Sequence, residues 1–543
     1  MNVKGSEIIK YWEKHTGHVW KATIPNSFFG DYHPYKDSIH GDWFHDNGRI
    51  HHTGEVYLNG KSFWESHTME NVLNPKKQTD KFDPEGSIYT WYCETDDVNT
   101  TIYANFQGAN PNKELVEINV RNSCFYPAKT GINYITIRGF HMSQAATNWA
   151  APTAEQIGLI GTFWSKGWII ENNVISESKC SGITLGKDHA SGHNVLSKEK
   201  TKNGATIYIE VILKVLKDGW DKEKIGSHIV RNNTIFNCEK AGICGSFGAA
   251  FSKVYNNHIY NIWRKRQFRG PDKGGIKFHG AVDAIISNNC IHDAYHGIWI
   301  DWMAQGTRIS SNICYNNDFA DLTAEVNHGP YLVDNNIFLS GMYNSSQGGA
   351  FIHNIIAGKI ILKPVVDRYT PYFFKHSTEL MGFSNIQCGD DRFYNNIFIK
   401  NDYQIDTKNI KNSGFGLEAY NQIKKILPIF TQNNLYYNGA KQYKKEVNSE
   451  VVDIFDPQVK IFMENNKIFL ELNFDSTIFS MKTSMVTTKS LGTASMTHLP
   501  YENSDGSELK INSDFFGNKK KTESPMVGPF EEIEMGKLTI NVW

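Results

Sequence analysis

The sequence predicts an all-β protein whose main part is a right-handed parallel β-helix with a flanking β-sandwich-like region. The first observation is a recurring unit of a few β-forming residues, one or two asparagines and a β-branched pair, as in SHIVRNNTIF and DAIISNNCIH. The second observation is the period with which this unit recurs along the chain. The final asparagines of the middle copies are Asn233, Asn257, Asn289, Asn312 and Asn336, separated by 24, 32, 23 and 24 residues. Such a period with several short strands per repeat indicates a solenoid.

The residues within each repeat favour strands over helices. The copies alternate around β-branched residues, whereas helical repeats would show apolar residues three and four apart. Asparagine tolerates the left-handed turn conformation, and stacked asparagine amides can hydrogen-bond from one coil to the next. Loop composition alone would not explain a separation of 23 or 24 residues in three of these four intervals. The 32-residue interval contains an additional polar loop, RKRQFRGPDKGG.

The period also sets the predicted domain organisation. Residues 1–115 do not follow it and are rich in short alternating strands, so we predict a flanking β-sandwich-like region there. The β-helix is predicted over residues 116–543. It contains a helical insertion near residues 190–226, because IYIEVILKVLKDGW has amphipathic spacing, and a tail over about residues 440–543.

Composition narrows the classes of function. Lys+Arg 56 against Asp+Glu 57 leaves a net charge of -1, so we expect neither nucleic acid nor a membrane as partner. The 8 cysteines lack CxxC or Cys/His ligand spacing, which argues against a structural zinc site and against a short disulfide scaffold. No signal peptide or apolar span is evident, so a cytoplasmic location is expected unless the natural N-terminus is missing. The sequence allows for a homo-oligomer.

A second repeated motif places ionisable side chains in a column. It begins with glycine and a β-branched residue, and its fifth position on successive copies reads Gly186, Ser246, His279, Asp301 and Glu325. In a strand alternate residues point to opposite faces, so Ile298 and Ile300 are predicted to face the interior and Asp301 the outside. The spacing of one coil predicts that Asp301 and Glu325 stack on neighbouring coils.

The predicted spacing of the two carboxylates carries mechanistic information. Neighbouring strands lie about 4.7–4.9 Å apart. Retaining glycosidases hold their two carboxyl groups about 5–5.5 Å apart, and inverting ones about 6.5–9.5 Å. The repeat therefore favours a retaining glycosidase with Asp301 and Glu325 as its catalytic pair. On spacing and surroundings alone, a chance stack of two surface acids stays equally open.

Several neighbouring residues are candidates for contacts with a sugar, each with a structural alternative. Tryptophans at 299 and 302 offer stacking surfaces but could be buried, and the arginine at 308 could support a turn. An aspartate at 272 lies in a polar loop whose charges could simply be solvated. The predicted substrate-binding residues are His279, Asp272, Trp299, Trp302, Arg308 and His328.

The strings GIWIDWMAQGTR and EVNHGPYLVDNN, with IPNSFFGDYHPYKD and TTIYANFQGANPN nearer the N-terminus, resemble glycoside hydrolase family 120 almost end to end. The resemblance implies a retaining β-xylosidase that releases xylose from the non-reducing ends of xylo-oligosaccharides. It implies Asp301 as nucleophile, Glu325 as acid/base, and no metal or other cofactor. Family members usually carry a longer N-terminus, and where this chain has Pro271-Asp272 they carry a His-Glu pair.

Other functions stay open at this point. An arabinosidase or fucosidase on the same fold would use a similar carboxylate pair. A polysaccharide lyase would need a basic residue and usually calcium, and the column with Asp301 and Glu325 contains no Arg or Lys. A non-catalytic carbohydrate-binding solenoid would show aromatic ladders over many coils instead of an isolated pair of acids.

Overall fold

The computed structural model describes residues 1–79, 83–199, 201–401 and 411–543. Two compact units make up the chain. The first consists of Met1–Asp218, Asn233–Gly248 and Ile259–Lys277, and the second of Gly219–Asn232, Ala249–His258 and Phe278–Trp543. Among the described residues no helix is both long and apolar enough to cross a membrane.

The N-terminal part of the first unit is a pair of small sheets around one apolar core. One sheet contains Ser6–Ile8, Val116–Asn119, Val56–Leu58 and Lys61–Ser62, and the other Glu13–Thr16, Val19–Pro25, Asn99–Asn105, Thr90–Thr95 and Trp64–Glu65. Both sheets contribute to that core, for example Val56 from the first and Trp91 from the second. Most of the pairs are antiparallel, which gives a β-sandwich-like region. Its bounds differ from the predicted residues 1–115, because Val116–Asn119 belongs to it whereas Asn2–Lys4 pairs with the solenoid strand His141–Ser143.

The rest of the first unit consists of solenoid strands and an inserted helical segment. Its parallel strands are Asn2–Lys4, His141–Ser143, Val174–Ser178, Thr234–Cys238, Thr136–Arg138, Ile169–Glu171, Ile160–Gly161, Ser181–Thr184 and Ala241–Ser246. His258–Ile262 ends in this unit and Gly274–His279 begins in it. Its helices are Met69–Leu73, Val195–Lys198 and Gly204–Lys217, with 3₁₀ turns at Asn26–Phe29, Gly86–Ile88 and Pro111–Lys113.

The longest helix lies in the predicted insertion near residues 190–226, of which residue 200 is outside the described residues. Gly204–Lys217 begins where the Asn203 side chain accepts the Thr206 N–H. Its buried residues include Ile207, Val211 and Val215, which recur every fourth position and give one apolar face. The amphipathic spacing therefore has the structural role that the sequence predicts.

Three sheets of short strands form the solenoid of the second unit, and in each sheet a strand pairs with its equivalent one coil away. The first contains Cys290–His292, Ile313–Tyr315, Ile337–Phe338, Ile355–Ala357, Ile397–Ile399, Leu435–Tyr437 and Glu450–Val452. The second contains Ile229–Arg231, Lys253–Tyr255, Ile285–Ser287, Arg308–Ser310, Tyr331–Asp334, Gly349–Ile352, Arg392–Tyr394 and Phe430–Gln432. The third contains His296–Asp301, Ala320–Glu325, Met342–Ser345, Lys359–Leu362 and Ser413–Phe415. All but the last pair are parallel, so the predicted parallel β-helix is confirmed.

Stacked asparagines join these coils, as predicted. The Asn289 N–H donates to Asn312 Oδ1 at 3.0 Å, and the Asn312 N–H donates to Asn336 Oδ1 at 2.9 Å. The left-handed conformation falls on the preceding residue instead, such as Asn288 or Ser311. The sequence predicts that a single asparagine both adopts the turn conformation and joins the coils. In the structure these roles belong to two neighbouring residues: the first adopts the left-handed conformation, and the second hydrogen-bonds to the next coil.

Two further elements cover the coils of the second unit. A hairpin of Val365–Phe373 and Leu380–Ile386 extends from the third sheet. A three-stranded antiparallel sheet of Lys460–Glu464, Lys467–Phe474 and Gly536–Asn541 packs its apolar residues against outward side chains of the first sheet. The remaining helices of this unit, among the described residues, are Thr477–Ser480, Thr488–Leu491 and the 3₁₀ helix Leu417–Gln422.

Candidate active site

The two predicted catalytic carboxylates lie at the ends of neighbouring strands. His296–Asp301 pairs in parallel with Ala320–Glu325, and Asp301 is the register partner of Glu325. Ile298 and Ile300 are fully buried in the solenoid interior, in line with the predicted alternation. The two acids therefore start from directly opposed backbone positions, one inter-strand spacing of about 4.7–4.9 Å apart.

Asp301 is held from two sides. The Trp302 N–H donates to its Oδ1 at 2.8 Å, and His279 Nε2 lies 3.4 Å from its Oδ2. Only 8% of the Asp301 side chain is exposed. Contacts to both oxygens fix the orientation of the carboxylate, which suits a group that must attack along a defined direction.

The chain is strained directly after Asp301. Trp302 and Met303 have φ values of 29° and 69°, and Val326, which follows Glu325, has a φ of 49°. Non-glycine residues in the left-handed region cost about 1–3 kcal/mol each and cluster at functional sites. This turn also lets the Trp302 N–H approach the Glu325 carbonyl at 3.0 Å. The strained backbone thus links the ends of the two strands that carry Asp301 and Glu325.

Glu325 is more open than Asp301 and has a basic neighbour that the sequence did not predict. Its side chain is 23% exposed, and Arg368 Nη1 lies 3.9 Å from its Oε1. The Arg368 guanidinium also sits 5.5 Å from the Trp302 ring. Arg368 belongs to the hairpin, so its position follows from the antiparallel pairing of that hairpin and not from the coil period.

An aromatic cleft opens beside Glu325. It has a volume of about 610 Å³, and its lining includes Tyr295, His296, Trp299, Phe319, Glu325 and Tyr343. The His296 and Trp299 rings are 4.2 Å apart between centroids, and the Phe319 and Tyr343 rings 5.4 Å. Burial and the nearby charge of Glu325 raise the pKa of Tyr343 well above its usual range. These aromatic side chains can pack against the apolar face of a sugar ring while Glu325 contacts the polar edge of that ring.

The other predicted binding residues divide into two groups. His279, Trp299 and Trp302 accompany the carboxylates in the second unit, as described above. Arg308 lies on another sheet of that unit, where its Nε and Nη2 donate to the Asp334 carboxylate at 2.8 and 2.9 Å. It lines a separate cavity of about 290 Å³. Its ion pair with Asp334 supports the structural alternative for this arginine.

His328 and Asp272 also have structural contacts. His328 Nε2 lies 2.8 Å from Thr370 Oγ1 and its Nδ1 lies 3.0 Å from Gln347 Nε2, so the ring anchors the hairpin. Burial lowers the pKa of His328 to about 4. Asp272 is in the first unit, where it is buried and its Oδ1 lies 3.3 Å from Lys277 Nζ.

Similarity to a solved structure identifies the family. A structure described as the complex of XylC with xylose matches with 44% sequence identity and a TM-score of 0.94, covering 100% of this chain and 89% of that chain. The insertion-domain model of glycoside hydrolase 120 matches residues 9–118. This chain belongs to glycoside hydrolase family 120. The predicted family is confirmed, and the protein is a glycoside hydrolase.

The remaining comparisons concern the fold. A right-handed β-helix model matches residues 220–357 of this family 120 hydrolase, which confirms the predicted handedness. Two more structures, a glycoside hydrolase and the catalytic domain of a GH87 α-1,3-glucanase with tetrasaccharides, match at 12% and 8% identity. They cover 67% and 82% of this chain and 80% and 92% of theirs, with TM-scores of 0.42 and 0.22, too low to add to the assignment. No curated protein matches.

Proposed function

We propose that this family 120 hydrolase is an exo-acting, retaining β-xylosidase that releases xylose from the non-reducing ends of xylo-oligosaccharides. The observation that carries the proposal is the register pairing of Asp301 with Glu325 on adjacent parallel strands. The strand spacing of about 4.7–4.9 Å is close to the separation of about 5–5.5 Å between the carboxyl groups of retaining enzymes. Xylose is proposed as the released sugar because a homologue with 44% identity is described in complex with it.

The proposed chemistry has two displacements. Asp301 attacks the anomeric carbon while the Glu325 carboxyl gives its proton to the departing glycosidic oxygen, so the glycosidic bond breaks as the bond to Asp301 forms. The Glu325 carboxylate then takes a proton from water, and that water displaces Asp301 and leaves the sugar with its original configuration.

The surroundings of each carboxylate support this division of roles. Asp301 is nearly buried and oriented by the Trp302 N–H, as a nucleophile requires. Glu325 is more exposed, at 23% of its side chain, and lies on the aromatic cleft, so it can exchange protons with solvent and admit the water of the second displacement.

The test is hydrolysis of p-nitrophenyl β-xyloside and of short xylo-oligosaccharides, with the anomer of the first product followed by NMR. Initial release of β-xylose supports retention, whereas initial release of α-xylose excludes it. Parallel assays with arabinoside and fucoside substrates test the choice of sugar. An unsaturated, ultraviolet-absorbing product would identify a lyase instead.

Assignment of the nucleophile needs a separate experiment. In an Asp301→Gly variant, azide can enter the space of the missing carboxylate and attack the anomeric carbon from the same side. An α-xylosyl azide is the expected product, because the external nucleophile completes only one displacement. Rescue that instead gave a β-xylosyl azide would contradict Asp301 as the nucleophile.

A further inference from the structure

Three metal-ligating side chains of two neighbouring coils converge in the second unit. His258 Nε2 and His292 Nε2 lie 2.9 Å apart, and one ring nitrogen of each histidine and the Cys290 sulfur all lie within 4.8 Å of one another. We propose that His258, Cys290 and His292 form a Zn²⁺-binding site. Imidazole nitrogen and thiolate sulfur are the ligands that zinc prefers.

Contacts around His292 resemble the support that metal-binding histidines usually have. Its Nδ1 lies 2.6 Å from Asp293 Oδ2, and its ring stacks on Tyr315 with centroids 4.7 Å apart and planes 13° apart. A carboxylate on Nδ1 leaves the lone pair on Nε2, the atom that faces His258. Asp293 and Tyr315 therefore fix both the tautomer and the direction of the ring.

The geometry needs little adjustment to hold zinc. With Zn–N bonds of about 2.0–2.1 Å, two nitrogens at a tetrahedral angle lie about 3.3 Å apart, so the imidazoles need to separate by about 0.4 Å. On binding, the Cys290 thiol loses its proton to solvent and the thiolate becomes a ligand. The three protein ligands leave a fourth position for water.

The place of the cluster in the fold points to a structural role. Cys290 is fully buried in the apolar core that the first sheet of the second unit shares with the C-terminal three-stranded sheet. The His258 ring lies 6.0 Å from the Trp543 ring, and His258 is only partly buried, which gives the metal an entry path. Bound zinc would tie together the ends of two coils beside this sheet, so we expect it to raise the thermal stability.

Metal titration of the chelator-treated full-length protein tests the site. We expect one equivalent of Zn²⁺ by elemental analysis, a higher Tm with zinc, and a thiolate-to-cobalt charge-transfer band when Co²⁺ is used instead. His258→Gln and His292→Gln should abolish tight binding. Asp293→Asn should weaken it by about 10–100-fold, as the loss of such supporting carboxylates does.

The matched control is Cys314→Ser, which changes a buried cysteine one coil further on. This variant should keep the metal and the cobalt band, while Cys290→Ser should lose the band. If Cys290→Ser does not fold, the two histidine variants show whether these residues bind the metal. Absence of stoichiometric zinc in the wild-type protein, or a cobalt band unchanged in His292→Gln, would overturn the proposal.

Discussion

Two columns of side chains repeat along the coils of the second unit, one of amides and one of ionisable groups. The amide column runs through Asn289, Asn312 and Asn336, all buried and joined by hydrogen bonds of 2.9–3.0 Å. The ionisable column contains His279, Asp301 and Glu325, with a different residue on each coil. Both columns use the same coil-to-coil register.

The difference lies in where each column finds its partners. An asparagine amide both donates and accepts, so identical residues satisfy one another along the stack. Two acids on adjacent strands repel each other instead. Besides His279 within the column, groups from outside it therefore approach the two acids, the Trp302 N–H at Asp301 and Arg368 at Glu325. The amide column therefore joins the coils through matched hydrogen bonds, whereas the ionisable column brings two carboxylates together and depends on other groups to stabilise them.

Exchanging the carboxylate of Asp301 for an amide should have the largest effect. Asp301→Asn keeps an oxygen for the Trp302 N–H but removes the nucleophile, so kcat/KM for the xyloside should fall on the order of 10⁴–10⁶-fold with the fold intact. Steady-state kinetics and circular dichroism measure the two effects. Asp367→Asn, on the exposed side of the hairpin, is the control and should keep its activity. Wild-type rates in Asp301→Asn would refute the assignment.

A substitution in the amide column is expected to lower stability instead of activity. Asn312→Ala removes the acceptor of the Asn289 N–H and the donor to Ile286 O, both buried. Unsatisfied buried groups cost about 1–3 kcal/mol each, so the loss of partners for these two groups should lower the free energy of unfolding by roughly 2–6 kcal/mol. Urea unfolding measures it. Asn473→Ala on the C-terminal sheet should change it by less than about 0.5 kcal/mol. Equal effects of the two substitutions would mean that the column does not stabilise the coils.

The two columns also differ in how they can be predicted from sequence. The amides repeat one residue type at one period, so composition and spacing reveal them. Asp301 and Glu325 share that period but not a residue type, and the Gly-β motif was needed to align them. The pairing of Asp301 with Glu325 follows from this alignment and is present in the structure.

The coil period does not predict the residues that reach the site from outside the aligned strands. Arg368 comes from a hairpin inserted between two coils, and the Tyr343 coil is shorter, with only 18 residues from Asn336 to Asn354. Arg308, in contrast, is close to Asp301 in sequence but not part of the same sheet. Seven residues beyond Asp301 the chain has already turned onto another sheet. Its closeness in sequence to Asp301 therefore gave no information about its neighbours.

Acid should weaken the contact by which His328 anchors the hairpin that carries Arg368, while the amides of the other column do not titrate. Burial lowers the pKa of His328 to about 4, so the unfolded chain takes up its proton below about pH 6.5 and the folded chain only near pH 4. This contribution to stability is present above pH 6.5 and is lost as the pH falls to about 4, by up to about 3 kcal/mol. Urea unfolding across this range should show a shallower pH dependence in His328→Gln. The exposed His67→Gln should keep the wild-type slope, and an unchanged slope in His328→Gln would contradict the prediction.

The smallest expected effect concerns Arg368, the external cation of the ionisable column. Its guanidinium lies 3.9 Å from Glu325, so Arg368→Met should remove a cation from beside the proposed acid/base and move the alkaline limb of the kcat/KM profile to higher pH. Because the pair is partly exposed and screened, the shift should be less than about one pH unit. Arg368→Lys keeps the charge but loses the planar contact with Trp302, so its profile should stay close to the wild type even if KM rises. A shift of equal size in both variants would mean that Arg368 acts through packing, and the ionisable column would then depend on shape more than on charge.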